Sequence, residues 1–372
     1  MSQSQGPLSG LRVLEFAGIG PGPHVAMLLA DLGAEVVRID RPGGRVSNPV
    51  VERARHRLAF DLKSEEGKSA VRAAAASADV LIEGFRPGVM ERLGLGPEAL
   101  LGVNPRLVYA RMTGWGQDGP LAQAAGHDIN YIAITGALSA VGKTGETATP
   151  PQNLVGDFGG GSMYCAFGIM AALYERERSG KGQVVDAAIV DGATSLMSFF
   201  FGVRHLPHLS TERGKGMLGG AAHFYRCFEC ADGKEISLGS IEPQFYAEML
   251  QRTGAPEDLA QGQMNPANWD GYADKLAALF LTKTQAEWCE LLEGTDVCFA
   301  PVLGIEEARD HPHMKARGAY VEHDGMWHTA PAPRFSRTPG AVRSSADDGA
   351  DVVARWHALG HALGQAPGRG AA

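Results

Sequence analysis

The sequence predicts an α/β protein, with a parallel sheet in a large domain and a smaller α+β domain after it. Its 372 residues are enough for two domains. In the first half, short β-rich apolar runs alternate with helix patterns, which is typical of a parallel sheet covered by helices on both faces. After residue 224 the pattern changes to a hairpin followed by helices, which favours a second domain.

The first half contains the elements of the predicted sheet in chain order. Its predicted strands are Leu11–Phe16, Val36–Ile39, Asp79–Ile82, Arg106–Met112 and Val184–Ile189. A helix is predicted over His24–Leu32, because proline precedes it and Gly33 follows its end. Ser64 predicts the N-cap of the next helix, since two glutamates follow it in a first turn where the helix dipole favours anions. A later apolar helix is expected to run to about Arg178.

The second half has the pattern of a smaller α+β domain. The runs Phe224–Cys230 and Glu235–Leu238 flank Asp232-Gly233, which predicts a hairpin. Helices are expected near 243–252, 267–281 and 284–293. The last of them begins with Thr284 and Glu287 at the spacing of a capping box.

These patterns divide the chain into expected domains. The large domain is predicted over 1–199 and 326–372, and a linker over 200–224. The small domain with its return linker is predicted over 225–325, and a terminal helix over Asp351–Leu363.

Composition and charge exclude several classes of protein. A net charge of −8 argues against a broad nucleic-acid-binding surface. No apolar run approaches the ~20 residues that cross a bilayer, so no membrane association is expected. The chain starts without an apolar signal core, so the expected compartment is the cytoplasm. Five cysteines do not suggest a disulfide framework, and Cys227-x-x-Cys230 lacks further ligands at zinc spacing, so no metal is expected.

Glycine is over-represented, with 49 of 372 residues, against an average near ~7%. Gly18, Gly20 and Gly22 follow a predicted strand and resemble a dinucleotide fingerprint, with Asp40 at the spacing of an acid that binds a ribose. However, Pro23 occupies the place of the third glycine, and prolines offer no N–H to a pyrophosphate. A tight turn from strand to helix is therefore favoured, with a nicotinamide-dependent dehydrogenase as the alternative.

A basic cluster stands out in this acidic protein. It consists of Arg53, Arg55, His56 and Arg57, with Arg41 before it and Lys63 after it. Charge runs are usually solvated, but arginine forks also suit phosphate oxygens. Arg86 and Arg92 add cations just after the third predicted strand, at the end of a parallel sheet where ligands collect. Both a solvated face and a site for a phosphorylated ligand stay open.

Two polar segments contain the candidate catalytic residues. His127 lies in a run of polar groups, and histidine titrates near neutrality, which suits proton transfer. Asp157 is predicted at the start of a helix, where its neighbours offer free N–H groups to a developing oxyanion. Gly159–Gly161 follow it and cost roughly 1 kcal/mol each relative to alanine, so we expect another chain or a ligand to approach the backbone there.

Several motifs, taken together and in one order, resemble a known family. They include Gly20-Pro21-Gly22-Pro23, Asp61-Leu62-Lys63, Glu83-Gly84-Phe85-Arg86-Pro87-Gly88-Val89, Arg111-Met112-Thr113-Gly114-Trp115-Gly116-Gln117, Gly126-His127-Asp128-Ile129-Asn130-Tyr131 and Gly156-Asp157-Phe158-Gly159-Gly160-Gly161-Ser162. Over nearly its whole length the chain resembles the family III CoA-transferases. In having a histidine directly before Asp128, the chain resembles the racemase branch of that family.

The resemblance implies a Rossmann-like large domain, a small domain, and an intertwined homodimer whose active sites are shared between subunits. It implies an acyl-CoA substrate and no separate cofactor, because coenzyme A is part of the substrate. The residues that match CoA-binding elements by position are Arg41, Ala59, Phe60, Asp61, Leu62, Lys63 and Arg92, to which Arg86 is added for its place after the third strand. The residues that match the segment along the thioester are Gly126, Asp128, Ile129, Asn130 and Tyr131.

The implied reaction is inversion of C2 in a 2-methylacyl-CoA thioester through an enolate. It needs one group to take the α-proton from one face and a second to return a proton to the other, without a metal or redox cofactor. His127 and Asp157 match the family's pair, and Glu242 of the partner subunit matches a glutamate that pairs with the histidine. The alternative is a CoA-transferase in which Asp157 is a nucleophile that forms a mixed anhydride with the acyl group.

Overall fold

The computed structural model describes residues 6–44 and 48–364. Its strands are β1 (Arg12–Phe16), β2 (Glu35–Asp40), β3 (Arg55–Ala59), β4 (Val80–Glu83), β5 (Val108–Thr113), β6 (Val184–Ala188), β7 (Tyr225–Glu229), β8 (Glu235–Gly239), β9 (Phe299–Val302), β10 (Tyr320–His323) and β11 (Met326–Thr329). Its α-helices are α1 (Pro21–Asp31), α2 (Glu65–Ser77), α3 (Val89–Arg92), α4 (Pro97–Val103), α5 (Asp128–Ile134), α6 (Ala137–Ala140), α7 (Tyr164–Ser179), α8 (Ile189–Leu196), α9 (Ser198–Val203), α10 (Pro243–Thr253), α11 (Trp269–Phe280), α12 (Gln285–Leu292), α13 (Ile305–Asp310), α14 (Pro312–Ala316) and α15 (Gly349–Gly364). A π-helix spans Leu154–Met163, and 3₁₀ turns lie at Pro207–Leu209, Met217–Gly219, Glu257–Ala260 and Pro266–Asn268.

Contacts between residues divide the chain into two compact units. The first unit contains the described residues of 1–135, 152–196 and 318–372, and the second contains 136–151 and 197–317. This division differs from the expected domains, because 136–151 clusters with the second unit and 318–325 with the first. The expected linker also clusters with the second unit and contains 3₁₀ turns.

The first unit is organised around a six-stranded parallel sheet with the strand order β3-β2-β1-β4-β5-β6. The chain starts near the centre with β1, extends to β3 on one side, and then crosses to β4 and continues to β6 on the other. The order reverses between β1 and β4. Ligands of such sheets collect at the carboxyl ends of the strands beside this point.

Successive residues of the central strands are buried on opposite faces of the sheet. One face packs Val13, Val36 and Val80 against α1 and α7. The other packs Leu14 and Val37 against α2, α4 and α15. Full burial of an aliphatic side chain contributes roughly 1.5–3 kcal/mol, so this two-sided core holds the strand ends in a fixed register. The predicted α/β class and parallel sheet are confirmed.

The predicted elements of the first unit are found with small shifts at their ends. Ser64 is the N-cap of α2, since its Oγ accepts the N–H of Gly67 at 3.0 Å. However, α1 begins at Pro21 rather than at His24. Proline is tolerated in the first turn of a helix, because the N–H that it lacks has no partner inside the helix.

The sequence-based prediction contains no β3, because Arg-His-Arg-Leu-Ala has the pattern of a charge cluster rather than of an apolar strand. Arg55 is the first residue of this strand and Arg53 lies two positions before it, and both are buried. Nη2 of Arg53 lies 2.5 Å from Oδ2 of Asp31, and Nε of Arg55 lies 2.7 Å from Oε2 of Glu15. For these two arginines both predictions, a solvated face and a phosphate site, are wrong, because their charges are neutralised inside the first unit.

The second unit contains an antiparallel sheet with the strand order β7-β8-β9 and a separate aromatic core. The hairpin of β7 and β8 is confirmed, and so is the capping box at α12, where Oε2 of Glu287 accepts the N–H of Thr284 at 2.8 Å. Cys227 is exposed and Cys230 buried, and both are free thiols. Among the helices of residues 6–44 and 48–364, none has the length and apolar character that crossing a bilayer requires.

Candidate active site

A cavity of about 870 Å³ lies in the first unit, at the carboxyl ends of β1, β4 and β5. Its walls come from the loops after these strands, the start of α1, the start of α5 and the π-helix. The lining includes residues 16–23, 82–87 and 112–115, together with Gly126, His127, Asn130, Tyr131, Asn153, Asp157 and Ile189. Its volume falls within the ~300–1,000 Å³ that is typical of small-molecule sites. The cavity therefore lies at the switch point of the sheet, where the topology favours a ligand.

His127 reaches this cavity from the N-cap of α5. Its backbone is extended, and its N–H donates to Oδ1 of Asn130 at 3.0 Å. In return, the N–H of Asn130 donates to the carbonyl of His127 at 2.8 Å. These two bonds fix the entry into the helix. The side chain is exposed rather than packed in the core, which leaves the imidazole accessible to a ligand and to proton exchange.

Asp157 is the fourth residue of the π-helix and not its N-cap, so the predicted helix start at this residue is wrong. The π-helix begins at Leu154, with Asn153 as its N-cap. The carboxylate of Asp157 faces the turn before α1, because a Cβ built on Gly20 would lie 3.1 Å from Oδ2. Gly20 also has a φ of +70°, a conformation that other residues rarely adopt. The first glycine turn therefore places bare backbone beside a carboxylate.

The backbone N–H of Asp157 is already hydrogen-bonded. It donates to Oδ1 of Asp128 at 2.6 Å, and the N–H of Phe158 donates to the carbonyl of Asn153 at 3.2 Å. The expectation that these donors stabilise an oxyanion is therefore wrong. Gly156 permits the contact with Asp128, because a Cβ at this position would clash with the Asp128 carboxylate.

The surroundings of Asp157 favour its protonated form. Burial raises the pKa of Asp157 above its ordinary value, and the charge of Asp128 raises it further. A hydrogen bond with Asn153 and the charge of His127 lower this pKa and so act in the opposite direction. Burial also raises the pKa of the Tyr131 phenol, with the charge of Asp157 as the next cause. A carboxyl with a raised pKa is a stronger base than an ordinary aspartate and holds a proton closer to neutral pH.

The glycines after Asp157 bring the π-helix against another helix of the same unit. A Cβ on Gly160 would lie 2.6 Å from the backbone nitrogen of Ala193 in α8. Gly192 of α8 packs in turn against the carbonyl of Gly160. The expectation of another chain or a ligand is therefore wrong for Gly160, because α8 is what approaches the backbone there.

The segment that was expected along a thioester divides between the cavity and other contacts. Gly126, Asn130 and Tyr131 line the cavity, and the hydroxyl of Tyr131 donates to the carbonyl of Gly126. Asp128 and Ile129 are not part of the lining. Asp128 faces the π-helix, while Ile129 is exposed. Asn130 and Tyr131 lie three and four positions after His127 and therefore share its face of the helix, whereas Asp128 and Ile129 lie one and two positions after it and do not.

Trp115 and Glu83 also line the cavity, although their residue types alone predicted no role for them. The ring of Trp115 meets that of Tyr131 edge to face, with centroids 4.8 Å apart. Glu83 is buried, accepts the N–H of Phe85 at 2.7 Å and pairs with Nε of Arg111 at 2.9 Å. Glu83 is the last residue of β4, and Trp115 follows the end of β5. Ligands collect at the carboxyl ends of parallel strands, so this position is the signal that could have predicted both residues as part of the site.

Most of the expected CoA-binding residues lie along the same edge of the sheet, outside the cavity lining. Arg41 follows β2, and the segment 59–63 starts at the end of β3, where the N–H of Phe60 donates to the carbonyl of Asp40 at 3.0 Å. Arg92 ends α3, while Arg86 belongs to the lining itself. The side chains of Arg41, Lys63, Arg86 and Arg92 are exposed, and none of them forms an ion pair with a described residue.

Two further sequence candidates lie elsewhere. The carboxylate of Asp40 is buried and accepts a hydrogen bond from Nε of Arg38 at 3.0 Å, so it is not an open acceptor for a ribose. Glu242 is the N-cap of α10 in the second unit, directly before Pro243. Within residues 6–44 and 48–364, no group of three or more His, Cys, Asp or Glu side chains is arranged to hold a metal ion.

Comparison with known proteins agrees with the family suggested by the motifs. The model of CoA-transferase family III matches residues 8–351. The chain is 46% identical to alpha-methylacyl-CoA racemase of Mus musculus, over 92% of this chain and 89% of the mouse protein. It is 45% identical to the racemase of Homo sapiens, over 89% of this chain and 87% of the human protein. A solved CAIB/BAIF family protein from Brucella suis matches with a TM-score of 0.82 at 26% identity, over 95% of this chain and 100% of that one. The chain belongs to CoA-transferase family III.

Proposed function

We propose that this protein is a racemase that inverts the C2 stereocentre of 2-methylacyl-CoA thioesters. The observation that carries the proposal is that His127 and Asp157, two side chains able to exchange protons, line the same cavity from different elements. The similarity to racemases of mouse and human supports the same reaction and the same class of substrate.

The proposed reaction is a proton transfer at the α-carbon. One group takes the α-proton from one face, and the electron pair of the broken C–H bond delocalises into the thioester carbonyl to give an enolate. The other group, protonated beforehand, returns a proton to the opposite face, and the enolate electron pair forms the new C–H bond. Nothing is oxidised or reduced, so the proposed reaction needs neither a metal nor a redox cofactor.

The two groups exchange roles with the handedness of the substrate. For one epimer, the Asp157 carboxylate is the base and protonated His127 is the acid. For the other, neutral His127 is the base and protonated Asp157 is the acid. The active pair therefore holds one proton in both directions. The raised pKa of Asp157 supports this scheme, because it brings the basicity of the carboxylate closer to that of an imidazole.

The CoA part of the substrate is proposed to lie along the carboxyl edge of the sheet. Arg41, Lys63, Arg86 and Arg92 are exposed cations at this edge, and guanidinium and ammonium groups bind phosphate oxygens well. Arg86 belongs both to this edge and to the cavity lining. The thioester would therefore enter the cavity beside it.

We also propose a homodimer in which Glu242 of the partner subunit pairs with His127. An exposed apolar stripe along α7 and the residue before it supports an interface between subunits. Its members are Met163, Phe167, Met170 and Tyr174, of which Phe167 is 73% and Tyr174 70% exposed. They recur at helical spacing, so they lie on one side of the helix. Contiguous large apolar side chains in water mark interaction surfaces.

The decisive experiment incubates the protein with a single epimer of a 2-methylacyl-CoA in D₂O, without an acceptor acid. The expected result is deuterium at C2, seen by mass spectrometry, together with the opposite epimer, seen by chiral chromatography. A CoA-transferase in which Asp157 is acylated would instead show no exchange at C2, and would consume the thioester only when an acceptor carboxylate is added. That second result would overturn the proposal.

A further inference from the structure

Asp128 is placed where it can act on Asp157 without touching a ligand. We propose that the Asp128 side chain is a positioning residue that orients the Asp157 carboxylate and strengthens it as a base. The inference rests on the proposed racemase function, in which Asp157 exchanges a proton with the substrate.

The geometry of the contact fixes the orientation. Oδ1 of Asp128 accepts the N–H of Asp157 at 2.6 Å, so the bond holds the backbone of the same residue that carries the carboxylate. Asp128 is the first residue of α5 and directly follows His127. The start of α5 therefore carries His127 and, through Asp128, also holds Asp157 in place. Gly156 leaves the space that this contact needs.

The charge of Asp128 is not neutralised by its surroundings. Its second oxygen, Oδ2, is buried and has no hydrogen-bond partner among the described residues. A half-buried carboxylate that forms no ion pair with a described residue disfavours a second negative charge nearby. The pKa of Asp157 shows this effect: after burial, the charge of Asp128 is the largest cause that raises it.

Other charged and titratable groups surround the π-helix, and they do not replace this effect. They are His127 and Tyr131 at α5, Arg86 after β4, Glu83 on β4, Arg111 on β5, His24 on α1, Asp186 on β6 and Asp191 on α8. Arg111 pairs with both Glu83 and Glu91, and His24 packs its ring on Phe158 with centroids 4.6 Å apart. Among these groups, His127 is the one that acts on the pKa of Asp157, and it lowers this pKa.

Loss of the Asp128 charge should change the pH dependence of kcat/KM. The active pair holds one proton, so kcat/KM falls on the acid side as Asp157 takes a second one. Removal of the Asp128 charge lowers the pKa of Asp157 and moves this acid limb to lower pH. Both directions of the reaction must shift together, because an enzyme cannot change the equilibrium constant between the epimers.

Three substitutions separate the charge from the hydrogen bond. Asp128→Asn keeps an acceptor oxygen but removes the charge, so its acid limb should move to lower pH. Asp128→Ala removes both, and we expect the same shift with a further loss of kcat of about 10²-fold, since small misplacements of a reacting group have effects of that order. Asp128→Glu keeps the charge on a longer arm, so its acid limb should stay while kcat falls.

Asp186→Asn is the matched control. Asp186 also accepts a backbone N–H, that of Gln117 at 3.1 Å, but its charge is not among the causes that shift the pKa of Asp157. The kcat of this variant and the acid limb of its kcat/KM profile should equal those of the unaltered protein. A shift in this control as large as that of Asp128→Asn would overturn the inference.

A measurement without substrate separates this inference from the proposed function. The full-length protein is labelled with ¹³C at the aspartate side-chain carboxyl carbons, and the Asp157 signal is assigned by its loss in Asp157→Asn. Its titration midpoint should fall in Asp128→Asn and stay in Asp128→Glu and Asp186→Asn. An unchanged midpoint in Asp128→Asn would overturn the role of Asp128, even in an active racemase. A lowered midpoint in a protein that does not exchange C2 protons would overturn the proposed function instead.

Discussion

At the scale of single residues, the candidate site depends on close approaches that only certain side chains permit. The Asp157 carboxylate faces the bare backbone of Gly20, and the N–H of Asp157 is held by Asp128. Gly156 leaves room for this second contact. A glycine beside each carboxylate therefore avoids a steric conflict, and the charge of Asp128 raises the pKa of Asp157 in addition to burial.

Gly20→Ala should reduce activity far more than it reduces stability. The new Cβ would lie 3.1 Å from Oδ2 of Asp157 and displace the carboxylate. With φ at +70° and ψ at −124°, Gly20 lies outside the left-handed helical region, and a residue with a side chain would be strained there by roughly 1–3 kcal/mol. We expect kcat/KM for epimerisation to fall by about 10²-fold, as measured by steady-state kinetics, and the melting temperature to fall by a few degrees.

Gly10→Ala is the control for the strain alone. Gly10 has a φ of +89°, and an added Cβ there would meet no atom within 4 Å. The control should lose thermal stability through its positive φ and keep its kcat/KM. If Gly20→Ala also keeps its kcat/KM, the position of the Asp157 carboxylate is not what catalysis depends on.

The sequence predicted the proposed pair of catalytic residues but not what positions them. His127 and Asp157 stand out by residue type and by their match to family motifs. The contact of Asp128 with Asp157 joins residues 29 positions apart, and it forms only because α5 packs beside the π-helix. Such tertiary contacts leave no local pattern, so the sequence predicted Asp128 as a thioester contact although it lies outside the cavity lining.

At the scale of elements, the π-helix decides where Asp157 points. The apolar run with its glycines predicted an ordinary helix that starts at Asp157, whereas the π-helix starts at Leu154. π-Helices are rare, and a pattern of apolar residues and glycines does not distinguish one from an α-helix. The packing partner is α8, which approaches through Gly160 and Gly192.

Gly160→Ala should therefore destabilise the first unit and reduce activity together. The added methyl group would lie 2.6 Å from the backbone nitrogen of Ala193, and α8 or the π-helix must move. Overpacking of this kind costs about 1–3 kcal/mol. The expected result is a lower melting temperature and a lower kcat, measured by circular dichroism and by the epimerisation assay.

Gly271→Ala provides the comparison within a helix of the second unit. Gly271 lies in α11, is exposed, and has no atom within 4 Å of an added Cβ. Alanine is favoured over glycine in a helix by roughly 1 kcal/mol, so this variant should melt no earlier than the unaltered protein. Equal loss of stability in the two variants would contradict the tight contact between the π-helix and α8.

At the scale of the whole molecule, the sequence predicted the parallel sheet and the change of pattern after it, but the division into units differs from the predicted one. The segment 136–151 clusters with the second unit, where the carbonyl of Ser139 accepts a hydrogen bond from Nε of Arg213 at 3.2 Å and Oγ1 of Thr144 donates to the carbonyl of Arg213 at 3.2 Å. These bonds span 74 and 69 positions. A boundary that depends on such distant pairs cannot be read from composition or local turns.

The proposed shared site predicts that two inactive variants restore activity when they are co-expressed. Asp157→Asn and Glu242→Gln should each be inactive or nearly so. If Glu242 of the partner subunit serves the site that contains Asp157, a mixed dimer carries both defects in one site and none in the other. Random pairing in a twofold dimer makes half of the dimers mixed, so the mixture should regain about a quarter of full epimerase activity.

Co-expression of Asp157→Asn with His127→Ala is the control, because these residues line one cavity of the same unit and every mixed site keeps a defect. Activity in the control equal to that of the first mixture, or no activity in the first mixture, would contradict a glutamate supplied between subunits.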